Sequence, residues 1–382
     1  MTRSIRRSLV ARLLPAAAVA CLLAGAGGAD ASILLDYTKV GEFTQPFAYS
    51  NCGVSVRAFA DATLNTSADM NVNAASGGPG IAVAGHEDFS FDGGEALDFE
   101  FWDDVADERS SATDVSYVAS VAPGTSDGDA VPAELSIEAF GVGGGSLGAQ
   151  AFSGAGERSI SAAFGGAAIE RFVMTAIDPV RIERVAYAPA ADTGITVQWT
   201  NGGAFESEQI ELCGVSLDGS DTLTVGGPDS PGGQGVGVMG GFGGTQPDRT
   251  IESGETLEVA FAEPATGVAY HMSSFFFPTI VGFLAFDLAA FDAQDAPLAP
   301  VQVQTDVGDM DVSGLFGDVA LSRFVIEASA DGQDGQQFGS VSFQVPEPGS
   351  LASGLAGLGS IAALARLRLA GRRPDAIARL AQ

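Results

Sequence analysis

The sequence predicts an all-β protein: two tandem antiparallel β-sandwich (jelly-roll-like) domains between an apolar N-terminal helix and an apolar C-terminal helix. Three observations predict this fold. Apolar and polar residues alternate with a period of two in several short segments. Glycine and proline are abundant, with 51 and 17 residues among 382, which favours short strands and loops over long helices. Most of the chain also occurs as two similar copies.

Alternating segments mark the strands. Leu97, Phe99 and Phe101 alternate with acidic residues, residues 257–261 repeat this pattern, and residues 135–140 alternate again. No segment has the length, caps and periodicity of a typical amphipathic helix. Many short strands with glycine-rich connections are typical of antiparallel sandwiches. Two of the strands are preceded by turn-forming residues, Asp92-Gly93-Gly94 and Glu252-Ser253-Gly254.

An internal duplication sets the domain organisation. Six pairs of similar segments occur in the same order, at offsets between 152 and 162 residues. The pairs are 33–38 with 195–200, 52–55 with 213–216, 80–83 with 235–238, 94–101 with 254–261, 171–173 with 323–325, and 185–187 with 341–343. Each copy has the size of a domain, so we expect domains at 32–194 and 195–344, joined by a hinge at 189–194.

The first 31 residues have the three parts of a secretory signal peptide. A basic region precedes the apolar run 13–23, and small residues follow it, so cleavage is expected before Ser32. The alternative is a buried helix, but arginines ahead of a short apolar run favour the membrane. The residues concerned are Arg3, Arg6, Arg7 and Arg12 in the basic region and Ala29, Ala31 and Ser32 at the cleavage site.

The last 38 residues, 345–382, have a second tripartite arrangement. Pro346-Glu347-Pro348 is followed by the apolar stretch 351–365 and then by a basic cluster, Arg366, Arg368, Arg372 and Arg373. This order resembles the PEP-CTERM sorting signal of Gram-negative bacteria. The resemblance implies processing by an exosortase while the apolar helix lies transiently in the inner membrane and the arginines stay cytoplasmic. It also implies a final location at the cell surface or in the extracellular matrix.

The body between these ends is strongly acidic. The chain has 18 basic and 48 acidic residues, and the two ends contain nine of the former and three of the latter. The body therefore carries nine basic and 45 acidic residues, a net charge near −36. Such a surface repels nucleic acid and anionic membranes, which we exclude as partners. The charge maintains solubility or attracts divalent cations.

Two cysteines remain after removal of the signal peptide. Cys52 and Cys213 occupy equivalent positions, one in each copy. A disulfide within one domain is therefore impossible. The two remaining alternatives are a bridge between the domains, which requires their equivalent faces to meet, and two buried free thiols.

Catalytic and metal-binding motifs are sparse. His86 and His271 are not equivalent and lack metal-ligand spacing, so neither a histidine-based triad nor a zinc site is expected. Two Gly-x-Gly-x-x-Gly matches, at 143–148 and 235–240, are interpreted as a hairpin loop and a strand. Loop carboxylates allow a calcium site, with solvated acids as the alternative. The calcium candidates are Asp127, Asp129, Asp218, Asp221, Asp309 and Asp311.

Two arginines and three aromatic residues are further candidates for ligand contacts. Arg171 and Arg323 are equivalent, and we expect each to pair with an acid across neighbouring strands rather than to bind an anion. Tyr37 and Trp199 are also equivalent, which favours core packing over sugar stacking, and Trp102 is a further aromatic candidate.

These observations predict an exported, non-enzymatic surface or matrix protein that associates with exopolysaccharide. No cofactor other than calcium is expected, and signal peptidase and exosortase are the expected partners during export. The bodies of PEP-CTERM proteins are often β-sandwiches without an assigned activity, and this body resembles them. The alternative is a polysaccharide-processing enzyme, a carboxylate-based glycosidase or lyase on a jelly-roll scaffold, which needs no histidine.

Overall fold

A computed structural model of the chain describes most of the body. The described residues are 32–39, 41, 43–45, 48–73, 79–83, 91–121, 134–199, 204–226, 235–239, 250–252, 254–274, 284–305, 308–328 and 336–345. The expected signal peptide before Ser32 and the expected sorting motif with its apolar stretch and arginines lie outside the described residues. In the described part of the chain, no helix combines the length and the apolar composition needed to cross a bilayer.

The fold is all-β, as predicted, and the described residues are 67% strand and 5% helix, in two antiparallel sheets. The strands of the first sheet are β1 (Ile33–Asp36), β2 (Phe43–Gln45), β3 (Ala48–Asn51), β4 (Val54–Phe59), β5 (Met70–Val72), β6 (Ile81–Val83), β7 (Ala96–Asp103), β8 (Glu108–Arg109), β9 (Ala112–Val121), β10 (Leu135–Gly141), β11 (Ser146–Phe152), β12 (Gly156–Ser159), β13 (Ile169–Ala176) and β14 (Val180–Pro189). The strands of the second sheet are β15 (Gly194–Gln198), β16 (Phe205–Leu212), β17 (Val215–Gly226), β18 (Gly235–Val238), β19 (Thr256–Ser274), β20 (Leu284–Asp292), β21 (Val301–Thr305), β22 (Gly308–Asp311), β23 (Leu321–Ala328) and β24 (Gln336–Gln344).

The first sheet has the strand order β2-β5-β6-β14-β9-β13-β7-β4-β3. The link between β9 and β13 is a single residue pair, Ala112 with Ile169, so the ladder turns a corner there. Beyond the corner, Phe101 of β7 meets Tyr187 of β14 with ring centroids 4.9 Å apart. Because these two strands are not hydrogen-bonded neighbours, the contact shows that the sheet folds back over a shared core.

The second sheet makes the same turn within one long strand. The first part of β19 pairs with β17 and β23, and its second part pairs with β22 and β24. The register shifts between Ala260 and Ala265, around Pro264, which cannot donate a ladder hydrogen bond. In the first sheet, two separate strands make the corresponding pairings. Strand β7 pairs with β4 and β13, and β9 pairs with β12 and β14.

Small structural details recur in both halves. Each half has a four-residue helix, α1 (Ile160–Ala163) and α2 (Val312–Leu315), capped by Ser159 and Asp311 respectively. A buried serine in each helix accepts a 2.8 Å hydrogen bond from a strand amide, Val115 N to Ser161 Oγ and Val268 N to Ser313 Oγ. The two halves therefore repeat one architecture.

The change from one sheet to the other falls between Pro189 and Gly194, where the hinge was expected. Buried apolar side chains nevertheless form one continuous core across both halves, which belong to one compact unit. Separate folding of 32–194 and 195–344 stays a prediction.

Candidate functional site

Two equivalent hairpin turns meet where the halves join. Cys52-Gly53 connects β3 to β4, and Cys213-Gly214 connects β16 to β17. All four residues have positive φ, between 56° and 76°, which two-residue hairpins with the right-handed strand twist require. A Cβ atom at position 53 would lie 2.9 Å from Ile195 Cδ1, so glycine also allows close approach of the other half.

A disulfide joins the turns, with the Cα atoms of Cys52 and Cys213 6.1 Å apart. The bridge between the halves is therefore the correct alternative, and the free thiols were wrong. Cys52 N donates to Thr196 O at 2.9 Å, and Cys213 N donates to Leu34 O at 3.2 Å. Leu34 and Thr196 are equivalent in the duplication, so each half makes the same contact with the other. The junction is a pseudo-two-fold interface within one chain.

Two polar side chains reinforce one side of this junction. The Asn51 amide donates to Gln198 O at 2.8 Å and accepts from Gln198 N at 2.9 Å, as a strand neighbour would. Asp104 Oδ2 accepts from Gly53 N and from Thr196 N, both at 2.8 Å. Burial raises the pKa of Asp104 from 3.8 to about 6, although these two hydrogen bonds oppose the shift.

A small cleft that opens to solvent lies beside this junction, and its enclosed part has a volume of only about 10 Å³, room for about one water molecule. Both halves contribute to its walls because the turns bring β3 against the end of β15 and against β16. The lining residues are Lys39, Tyr49, Asn51, Gln198, Trp199, Phe205, Ile210, Glu211 and Leu212. We call this set the junction cleft.

The junction cleft combines aromatic rings with a charged rim. At the rim, Lys39 Nζ and Glu211 Oε2 are 3.0 Å apart, and both side chains are largely exposed. Burial raises the pKa of Tyr49 to about 12, and its hydroxyl accepts from the Asn51 amide at 3.0 Å, so it stays neutral. Among the described residues, no group pairs with the buried indole N–H of Trp199. The groups of the cleft that are open to a sugar are the partly exposed Phe205 ring and the Lys39–Glu211 ion pair.

Core packing of Tyr37 and Trp199 is confirmed, since both are buried. Trp199 packs 5.4 Å from Phe338, ring to ring, and Tyr37 meets Tyr49 edge-on at 6.2 Å. Sequence reasoning missed that Trp199 also lines the junction cleft. No local signal could have found it, because the cleft joins residues up to 173 positions apart in sequence.

The expected arginine pairing is also confirmed. Arg171 Nε lies 2.7 Å from Asp98 Oδ1, and Arg57 Nη2 lies 2.5 Å from Asp98 Oδ2 and 2.9 Å from Glu100 Oε1. Arg109 adds a 3.0 Å contact to Glu100. The two carboxylates are only 1% and 6% exposed, whereas the alternating pattern of β7 would leave them in solvent. Three arginines on this face of the sheet cover them.

Arg323 makes the equivalent contacts in the second half. It lies 2.9 Å from Glu258 and 2.8 Å from Asp295, and its guanidinium stacks 3.5 Å over the Phe291 ring. Glu258 and Asp295 are 38% and 62% exposed, so the second half repeats the pairing of arginine with acids, but its acids are not buried.

The calcium candidates are not brought together. Asp127 and Asp129 lie outside the described residues. Asp218 is exposed on β17, and Asp221 accepts from Thr222 N. Asp311 caps α2, and Asp309 pairs with His271 at 2.8 Å. In the described part of the chain, no group of three histidine, cysteine or acidic residues could hold a metal ion.

The remaining motif predictions agree with the structure where it describes them. Gly143, Gly144 and Gly145 form the β10–β11 turn, and Gly235 begins strand β18. His271 lies on β19, whereas His86 lies outside the described residues. Trp102, the third aromatic candidate, is half-buried and does not line the junction cleft.

No protein-family model matches this sequence, and no curated protein matches it. Similar solved structures include an allantoicase, with 10% identity over 79% of this chain and 93% of that chain and a TM-score of 0.35. They also include an allantoicase from Saccharomyces cerevisiae, with 11% identity over 82% and 93% and a TM-score of 0.32. A fucolectin from Morone saxatilis serum has 6% identity over 82% and 99% and a TM-score of 0.19. Likeness this distant assigns neither a family nor an activity to this chain.

Proposed function

We propose that this protein is an exported, non-enzymatic component of the cell surface or extracellular matrix that associates with exopolysaccharide through the junction cleft. The observation that carries the proposal is the cleft itself, where the partly exposed Phe205 ring lies beside the exposed rim pair of Lys39 and Glu211. Sugars present apolar C–H faces and hydroxyl groups, so rings beside hydrogen-bonding groups suit them. Each half would be a jelly-roll-like sandwich domain.

Export through a signal peptidase and an exosortase is part of the proposal. Its support is the order of motif, apolar stretch and arginines at 346–373, together with the disulfide between the halves. Disulfides persist in oxidising compartments outside the cytosol. Intact-mass measurement of the extracellular protein tests this step. We expect loss of the residues before Ser32 and of the apolar stretch, and a full-length chain retained in the inner membrane would refute it.

The described acids support a non-enzymatic role. Glycosidases need two carboxyl groups facing a bound sugar. Asp98 and Glu100 form such a pair in the first half, but arginines cover both, and neither lines the junction cleft. His271 is engaged with the exposed Asp309. Among the described residues that line the junction cleft, Glu211 is the one carboxylate, so the second carboxyl group that a glycosidase needs is not among them.

Binding of the full chain to the producer's exopolysaccharide tests the association. Glu211→Gln at the rim should weaken binding about fivefold, as loss of one good hydrogen bond does. Asp309→Asn is the matched control, since Asp309 is also an exposed acid paired with a basic side chain, but it does not line the cleft and lies three strands from Gln198 in the sheet. Absence of binding by the wild type would refute the association. Sugar release that is lost on replacing one acid would refute the non-enzymatic role.

A further inference from the structure

Strand β11 is an unusual edge of the first sheet. In the described part of that sheet it pairs with β10 alone. Six of its seven residues are exposed, Ser146 through Ala151, and the seventh, Phe152, is half-buried against the Tyr117 ring at 5.9 Å. An ordinary edge strand has one face on the core. Here both faces and one row of backbone hydrogen-bonding groups meet solvent, so β11 extends beyond the core.

The sequence of β11, Ser-Leu-Gly-Ala-Gln-Ala-Phe, contains neither a charge nor a proline. Natural proteins usually protect exposed edges with charges, proline or a β-bulge, because a free edge pairs with other strands. Strand β11 has a bulge at Leu147, where its register with β10 shifts, and a regular ladder from Gly148 to Phe152. The second sheet carries charges at β16, which pairs only with β17 among the described strands and contains Glu206, Glu208 and Glu211.

Three other uncharged strands with one described partner bury one face. These strands are β3, β15 and β21, through Tyr49, Val197 and Val303 respectively. What sets β11 apart from these three is that both of its faces are exposed.

We propose that two copies of this chain pair antiparallel through β11, with Ala149 of one copy opposite Ala149 of the other, to form a two-fold dimer with a continuous sheet. The centre follows from the strand limits, because Ala149 is the midpoint of Ser146–Phe152. Gly148, the first residue after the bulge, would then lie opposite Gln150 of the second copy. Such pairing satisfies the free backbone groups of both edges. It does not depend on polysaccharide binding.

The distribution of charge favours a second copy of the chain as the partner of β11, because this edge is uncharged. Two bodies with net charges near −36 repel each other, so they associate best where acids stay apart. The exposed acid beside β11 is Glu138, which pairs with Ala149 across the hairpin. In the dimer, the two Glu138 side chains would be separated by three strand spacings, about 14 Å. That distance exceeds the screening length of about 10 Å at 0.1 M salt.

Sedimentation of the purified full chain tests the dimer. We expect a mass that doubles with rising concentration, and a monomer at every concentration would refute the proposal. Ala149→Glu sets two acids directly opposite each other and should weaken self-association by at least about tenfold. Val142→Glu is the control, since Val142 is 69% exposed in the turn of the same hairpin but lies outside β11. Equal weakening by both variants would also refute it.

A crosslinking measurement covers the case in which Ala149→Glu does not fold. Directly opposite residues of antiparallel strands have Cβ atoms about 4.5–5.5 Å apart, within reach of a disulfide after small adjustment. Ala149→Cys should therefore give a covalent dimer on mild oxidation, whereas Val142→Cys should stay monomeric. The native cysteines are buried in their own bridge and do not compete. Absence of the Ala149→Cys dimer, or an equal yield at Val142, contradicts the pairing.

Discussion

Replacing Asp104 by asparagine should make the protein more stable at neutral pH. The carboxylate lies between the halves and accepts backbone hydrogen bonds from Gly53 and Thr196 on a single oxygen. An asparagine oxygen can accept the same two bonds without a buried charge. The groups that face Asp104 are Asp103, which raises its pKa further, and Tyr187, whose own pKa is raised by burial and then by Asp104, so that it stays neutral.

The magnitude follows from the pKa. Burial raises it from 3.8 to about 6, and a shift of about two units corresponds to about 3 kcal/mol. Between pH 4 and pH 6 the folded state binds this proton and the unfolded state does not. The stabilisation from the raised pKa is therefore complete below about pH 4 and is lost as pH rises through 6. Asp104→Asn does not titrate, so its advantage over the wild type should grow by up to about 3 kcal/mol from pH 4 to pH 7.

Urea unfolding of both proteins at several pH values measures this effect. The other carboxylates titrate in both proteins, so the difference between their free energies of unfolding isolates Asp104. A difference that stays constant from pH 4 to pH 7 would show that Asp104 is solvated as in the unfolded chain. A difference that decreases with rising pH would show that the two hydrogen bonds stabilise the carboxylate more than its burial destabilises it. Either result would refute the reasoning.

Two further predictions concern the contacts that hold the chain together. Replacing Cys52 and Cys213 by serine should lower the free energy of unfolding by about 3–5 kcal/mol, because the bridge closes a loop of 161 residues. Denaturant unfolding of both proteins under matched conditions measures this loss. An unchanged midpoint of unfolding would contradict the bridge. Arg171→Ala should lower the free energy of unfolding by about 3 kcal/mol, because it removes one of the arginines that pair with the buried carboxylate of Asp98. The equivalent Arg323→Ala, whose partners are exposed, should lower it by less than about 1 kcal/mol. Equal losses of stability in the two variants would show that burial of the paired acids does not determine the cost of removing the arginine.

The local features were predictable because their signals are local. The alternation of Leu97, Phe99 and Phe101 fixes which face of β7 is buried, and the structure confirms all three as core. The turn before this strand begins at Asp92, whose carbonyl accepts from Glu95 N, as the glycine-rich turn predicted. Pairing of Arg171 with an acid across strands followed from the density of acids and from its place before an apolar step.

The other features depend on which strands become neighbours. Alternation assigns Asp98 and Glu100 to solvent, and only the pairing of β7 with β4 and β13 shows that Arg57 and Arg171 cover them. The cysteine positions left two alternatives open. The choice between them required knowing that the two turns face each other, and no periodicity contains that information.

The pseudo-two-fold junction bears on how many ligand sites the chain has. A cleft contained within each copy would occur twice, and avidity between the two sites would follow. The junction cleft instead lies across the pseudo-two-fold axis, because both members of two equivalent pairs line it, Asn51 with Leu212 and Tyr49 with Ile210. The two sides of the axis also differ in chemistry. Asn51 and Asp104 correspond by position to Leu212 and Pro264, whose side chains neither donate nor accept hydrogen bonds. Polysaccharide association through this cleft therefore implies one site per chain, and any avidity must come from pairing of two chains.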